Sequence, residues 1–130
     1  MGGHLRILAV EDDQDLAELY ASFLSWEGHD VLLAHDGKEA MRLLRERPDV
    51  ILLDLRLPDT DGAVLLRRMR GSLATRDVPV IVVSATINGD ALIRREADAV
   101  ISKPFDISEL LGTIYRVAQR PHRYSPRPLH

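Results

Sequence analysis

Short apolar runs alternate along the chain with segments whose apolar residues recur at helical spacing. Five such repeats fit the sequence, with strands predicted at Leu5–Val10, Asp30–Ala34, Val50–Leu53, Val80–Ser84 and Ala99–Ile101. Most of these runs are apolar at consecutive positions, not at alternating ones, which is what burial on both faces of a parallel sheet requires. The alternation therefore predicts an α/β domain with helices covering both faces of the sheet. Helix 1 has the clearest stripe, Leu16, Leu19, Tyr20, Phe23 and Leu24, with Gly28 as its stop. Helix 5 repeats the spacing with Ile107, Leu110, Leu111, Ile114 and Ala118. Met41, Leu43 and Leu44 mark helix 2 after Asp36-Gly37, and Leu65, Leu66 and Met69 mark helix 3. A fourth helix, within Asn88–Ala97, has only Leu92, Ile93 and Ala97 to bury and is interrupted by Arg94-Arg95-Glu96, so its packing is expected to be the weakest.

Residues 1–119 thus read as one domain, and 120–130, with Pro121, Pro126 and Pro128 and little apolar content, as an extended tail or linker. The 130 residues are enough to bury a core without staples, and 45% apolar content excludes intrinsic disorder. The chain has no cysteine, which rules out disulfides and thiolate metal sites. No apolar run approaches the roughly 20 residues of a membrane span, and Met1-Gly2-Gly3-His4 opens no signal sequence, so a cytoplasmic protein without membrane contact is expected. A net charge of −3 argues against a domain that binds nucleic acid directly.

In an open parallel sheet, ligands bind beyond the carboxyl ends of the strands. Glu11, Asp12 and Asp13 follow strand 1, Asp54 follows strand 3, Ser84 ends strand 4, and Lys103-Pro104 follows strand 5. Carboxylates gathered from separate strands repel one another, and burying them is costly without a cation. Mg²⁺ suits such a set, because it takes a few carboxylates together with water and phosphate oxygens. The charges of Glu11, Asp12, Asp54, Lys103 and one Mg²⁺ cancel. Such a site can receive a phosphoryl group: a carboxylate serves as nucleophile, while metal, lysine and hydroxyl stabilise charge on the transferring oxygens.

The segments that carry this chemistry are Ile7-Leu8-Ala9-Val10-Glu11-Asp12-Asp13, Pro48-Asp49-Val50-Ile51-Leu52-Leu53-Asp54, Leu57-Pro58 with Asp61-Gly62, Val82-Val83-Ser84-Ala85 and Ser102-Lys103-Pro104-Phe105. In this order they resemble the receiver domains of bacterial two-component response regulators, over residues 5–119. The resemblance implies a flavodoxin-like, doubly wound (βα)5 sandwich of the chemotaxis-regulator kind, with strand order 2-1-3-4-5. It implies that Asp54 is the phosphoacceptor, that Asp12, Asp54 and the Arg56 backbone carbonyl bind Mg²⁺ directly, and that Glu11 acts through water. Mn²⁺ would substitute for Mg²⁺. Lys103 and the Ser84 hydroxyl would contact the phosphoryl oxygens, and a cis peptide is expected before Pro104. Arg56 and Thr86 occupy positions expected to modulate phosphoryl lifetime, with Arg56 slowing attack by water through shielding or charge pairing. The implied partners are a histidine kinase or phosphotransfer protein as donor and a downstream effector or output domain, with the chain itself a monomer or weak homodimer.

Val100 stands where the family often has Tyr or Phe as the switch residue, so signalling through that face is expected to be muted or carried by backbone shifts. Two alternatives remain beside the switch: a phosphorylation-independent interaction module, and a small phosphoester hydrolase, which would lack a second aspartate where Arg56 stands. Singly, Asp54 would suit a helix cap, Glu11-Asp12-Asp13 a helix dipole, Lys103 a solvated surface and Ser84 an ordinary strand end; Asp13 is expected to serve the helix alone. The histidines His4, His29, His35, His122 and His130 show no metal spacing and are expected in solvent, Trp26 is expected to pack, and Arg67, Arg68 and Arg70 are expected on a solvated face.

Overall fold

The computed structural model describes residues 3–85 and 91–119. Its elements are β1 (Arg6–Val10), α1 (Gln14–Trp26), β2 (Asp30–Ala34), α2 (Gly37–Leu43) with a 3₁₀ turn at Leu44–Glu46, β3 (Val50–Leu53), α3 (Gly62–Arg70), β4 (Val80–Ser84), α4 (Ala91–Glu96), β5 (Ala99–Ser102) and α5 (Ile107–Ala118). The sheet runs β2-β1-β3-β4-β5 with every pair parallel. Its order reverses between β1 and β3, and Val10 pairs with Leu53 there, so the residues after these strands, Glu11 and Asp54, emerge side by side. Thr86 and the tail from 120 lie outside the described residues, so the expectations for them are not met or refused here.

β1, β3 and β4 are apolar on both faces because both faces are covered. Leu8, Val10, Ile51, Leu53, Val80 and Val82 pack toward α2, α3 and α4. Ile7, Ala9, Val50, Leu52, Ile81 and Val83 pack toward α1 and α5. Each of the Val, Leu and Ile side chains contributes roughly 1.5–3 kcal/mol by leaving water. Asp13, Asp36 and Asp61 cap α1, α2 and α3, accepting from Leu16 N–H at 3.2 Å, Glu39 N–H at 2.8 Å and Ala63 N–H at 2.8 Å. The dipole role expected of Asp13 is therefore a side-chain cap.

Four expectations need correction. The buried centre of α1 is Ala17, Tyr20 and Leu24, while Leu19 is 44% exposed. At about 100° per residue, Leu19 falls roughly 130° from that centre and Trp26 farther still. Trp26 accordingly projects into solvent, 86% exposed, and does not pack. Arg70 leaves the face of Arg67 and Arg68 and is buried at the end of α3. Its guanidinium donates to the carbonyls of Glu96 (2.8 Å), Arg76 (3.2 Å) and Val78 (2.8 Å) and to Asp98 Oδ2 (2.7 Å), which also accepts from Val80 N–H at 2.8 Å.

The fourth is His29, which is buried and not solvated. Its Nδ1 accepts from Leu5 N–H at 3.1 Å, so Nε2 carries the proton toward the Tyr115 hydroxyl, 2.9 Å away. Burial, aided by the charge of His4, holds His29 below its ordinary value. A histidine whose folded value is lowered favours the unfolded chain when protonated, so its stabilisation is complete above about pH 6.5 and is lost as pH falls below that. His29→Asn, which keeps an acceptor for Leu5, is expected to flatten the loss of melting temperature between about pH 7 and 5. Superimposable wild-type and variant profiles would remove the assignment.

Candidate functional site

The carboxyl edge of the sheet gathers Glu11 after β1, Asp54 after β3, Ser84 at the end of β4 and Lys103 after β5. Lys103 Nζ donates to Glu11 Oε1 at 2.9 Å and to Asp54 Oδ2 at 3.1 Å, bridging the two carboxylates. Glu11 is 1% exposed and Asp54 6%. Two buried acids with one ammonium leave net negative charge, which is unfavourable in a low-dielectric site. Asp12 adds a third carboxylate, itself exposed, and one oxygen of each of the three lies within 4.8 Å of the others. This all-oxygen set fits a small hard cation such as Mg²⁺ and leaves room for water and phosphate ligands.

Backbone geometry orients the set. Asp54 Oδ1 accepts from Arg56 N–H at 3.2 Å, and Glu11 Oε2 accepts from Asp13 N–H at 3.1 Å. A side chain at Gly62 would collide with the Asp54 carbonyl and Leu55 Cα, so only glycine lets the start of α3 pack under the end of β3. Lys103 N–H donates to the Ser84 carbonyl at 3.1 Å, and Ser84 pairs with Ser102, which brings the serine beside the lysine's backbone. The Lys103-Pro104 peptide is cis, as expected. Val100 is half-buried in β5 opposite Val82 and packs on the α2, α3 and α4 side, while the Arg56 side chain is exposed.

Electrostatics follow from this packing. Burial, reinforced by the Asp54 charge, raises Glu11 from 4.5 to about 7, against the opposing bonds from Lys103 and the Asp13 N–H. Burial also works against the Lys103 ammonium, but its bonds to Glu11 and Asp54 outweigh that and raise it. Without a divalent cation, Glu11 therefore carries a proton part of the time at neutral pH, and a metal must displace it. The apparent affinity for Mg²⁺ is expected to fall as pH is lowered from about 8 to 6, with proton release on binding. Calorimetry in buffers of different ionisation enthalpy measures both; a flat affinity with no proton release would refute the account of Glu11.

One buried group escaped sequence reading. Tyr20, read there only as part of an apolar stripe, is 2% exposed, and its hydroxyl has no hydrogen-bond partner among the described residues. Its ring stacks on Phe105, centroids 6.3 Å apart and planes at 10°. The available signal was a phenol at a stripe position that an aliphatic residue would fill without a stranded hydroxyl.

A 2-1-3-4-5 sheet with an acidic, lysine-bridged pocket at its switch point defines a flavodoxin-like domain with a built cation site. The profile of the response regulator receiver domain matches residues 7–115, and the chain belongs to that family, the phosphorylation-dependent modules of two-component signalling. It is 37% identical over 120 residues to transcriptional regulatory protein CpxR of Klebsiella pneumoniae, covering 90% of this chain and 50% of that one. It is 36% identical over 128 residues to transcriptional regulatory protein TrcR of Mycobacterium tuberculosis, covering 92% and 47%. The chain thus spans about half the length of these curated relatives. Among solved structures it resembles the non-phosphorylated HemR receiver domain of Leptospira biflexa, with TM-score 0.80, 34% identity, and coverage of 90% and 98%. It also resembles response regulator TrrA of Thermotoga maritima in complex with Mg²⁺ and beryllofluoride, with TM-score 0.78, 26% identity, and coverage of 86% and 97%. Receiver domains act as phosphoacceptor switches and bind Mg²⁺ in an acidic pocket, here the Glu11, Asp12 and Asp54 cluster. Among the described residues no helix is long and apolar enough to cross a membrane.

Proposed function

We propose that Asp54 is the phosphoacceptor and that its phosphorylation switches the domain between two binding states. The observation that carries this is the Lys103 ammonium bridging Asp54 and Glu11, a positive charge already beside the carboxylate that would receive the group. Asp54 Oδ2 attacks the donor phosphorus, a new O–P bond forms, and the bond from phosphorus to the donor's leaving group breaks. Lys103 then follows the charge from the carboxylate to the phosphoryl oxygens, and the Ser84 hydroxyl donates to one of them. Asp12, Asp54 and the Arg56 carbonyl would hold Mg²⁺ directly and Glu11 through water, the ion neutralising charge on the transferring oxygens, with Mn²⁺ able to replace it. Arg56 and Thr86 would modulate the lifetime of the phosphoryl group, and Val100 would stand at the switch position.

The donor would be a histidine kinase or phosphotransfer protein. Because the chain spans half of relatives named as transcriptional regulators, its effector would be an output domain or a separate partner. The test is intact mass after exposure to acetyl phosphate: one phosphoryl group should be gained with Mg²⁺ and none with a chelator. A wild-type domain that stays unlabelled by acetyl phosphate and by a kinase donor would favour the phosphorylation-independent module.

A further inference from the structure

The Tyr20 hydroxyl is a buried polar group that the phosphoacceptor chemistry does not use. Burying a hydroxyl without a partner costs about 1–3 kcal/mol. Tyr20 bears that cost at 2% exposure, in a stripe whose neighbours Ala17 and Leu24 are apolar. Its location is specific. The ring stacks on Phe105, two residues beyond Lys103, so Tyr20 touches the loop that carries the ammonium. Burial and the nearby charges of Glu11 and Asp54 keep the phenol protonated, so it is a donor at any working pH.

In the resting domain both Glu11 oxygens are engaged, Oε1 by Lys103 at 2.9 Å and Oε2 by Asp13 N–H at 3.1 Å. When Lys103 turns to a phosphoryl oxygen, Oε1 loses its charged donor while Glu11 stays buried, and a metal-bound water would fill only one of the acceptor sites a buried carboxylate offers. We propose that Tyr20 is a positioning residue for the phosphorylated state: its hydroxyl donates to Glu11 once Lys103 has moved, holding that carboxylate turned toward the metal site. The unpartnered hydroxyl of the resting state and the stack on the lysine-bearing loop are then two parts of one arrangement. The inference rests on the reading of Asp54 as acceptor.

The test is calorimetric titration of the domain with beryllofluoride in the presence of Mg²⁺, using wild type, Tyr20→Phe and Asp54→Ala, beside the melting temperature of each protein without ligand. Tyr20→Phe keeps the ring and its stack and removes only the hydroxyl. The expected result is about tenfold weaker binding of beryllofluoride, one charged hydrogen bond's worth, with an unliganded melting temperature equal to or above wild type. Binding within twofold of wild type would overturn the inference and leave the Asp54 reading standing. A lowered unliganded melting temperature would also overturn it, since the hydroxyl would then serve the fold. Wild type that fails to bind, or Asp54→Ala that binds as well as wild type, would overturn the Asp54 reading and the inference with it.

Discussion

Asp54→Ala is expected to gain no mass from acetyl phosphate and Mg²⁺ under conditions that label wild type fully, and Asp54→Asn is expected to behave alike. The loss is complete, not graded, because the nucleophile itself is removed and an amide oxygen does not form a stable acyl phosphate. The fold should survive. Lys103 keeps its 2.9 Å bond to Glu11 when Asp54 is absent, and removing one of two buried carboxylates relieves repulsion in the pocket. The variant is therefore expected to melt at or above the wild-type temperature. Labelling of Asp54→Ala at the wild-type level would place the acceptor elsewhere. Loss of labelling together with loss of structure would show that Asp54 holds the fold.

The largest effect on stability is expected at Arg70. Arg70→Met keeps an aliphatic stem but removes a guanidinium that is buried against Asp98 and three backbone carbonyls. Asp98 would keep the Val80 N–H but lose the Arg70 guanidinium. Removing one partner of such a pair costs about 3–5 kcal/mol. Urea unfolding of Arg70→Met should show that loss. Adding Asp98→Asn should recover part of it, because the buried carboxylate charge that faced Arg70 is removed while an acceptor for Val80 is kept. A loss below about 1 kcal/mol would mean that the pair is no stronger than a surface bridge.

These residues also show what the amino-acid order could convey. The sheet was legible because two-sided burial leaves β1, β3 and β4 apolar at consecutive positions, and β2, β3 and β4 lie where the pattern placed them. Glu11, Asp12, Asp54 and Lys103 were legible because each lies one or two positions beyond a predicted strand, and parallel strands must end at one edge. Arg70 and His29 were not. Arg70 looks like its neighbours Arg67 and Arg68 until Asp98, 28 residues on, is known to face it, and His29 meets Tyr115 across 86 positions. Local periodicity contains no such pairings. The error at Leu19 had a different origin: any five apolar residues spaced by three and four define a stripe, but only packing selects its centre.

Glu11 and Lys103 lie 92 residues apart, and their contact needs β5 to be laid against β4 and β4 against β3. A chain still emerging from synthesis can present Asp54 well before the ammonium that bridges it exists as a neighbour. The bridged pocket is therefore completed only with the last strand, and a copy ending before residue 103 would hold Glu11 and Asp54 without the ammonium that draws them together.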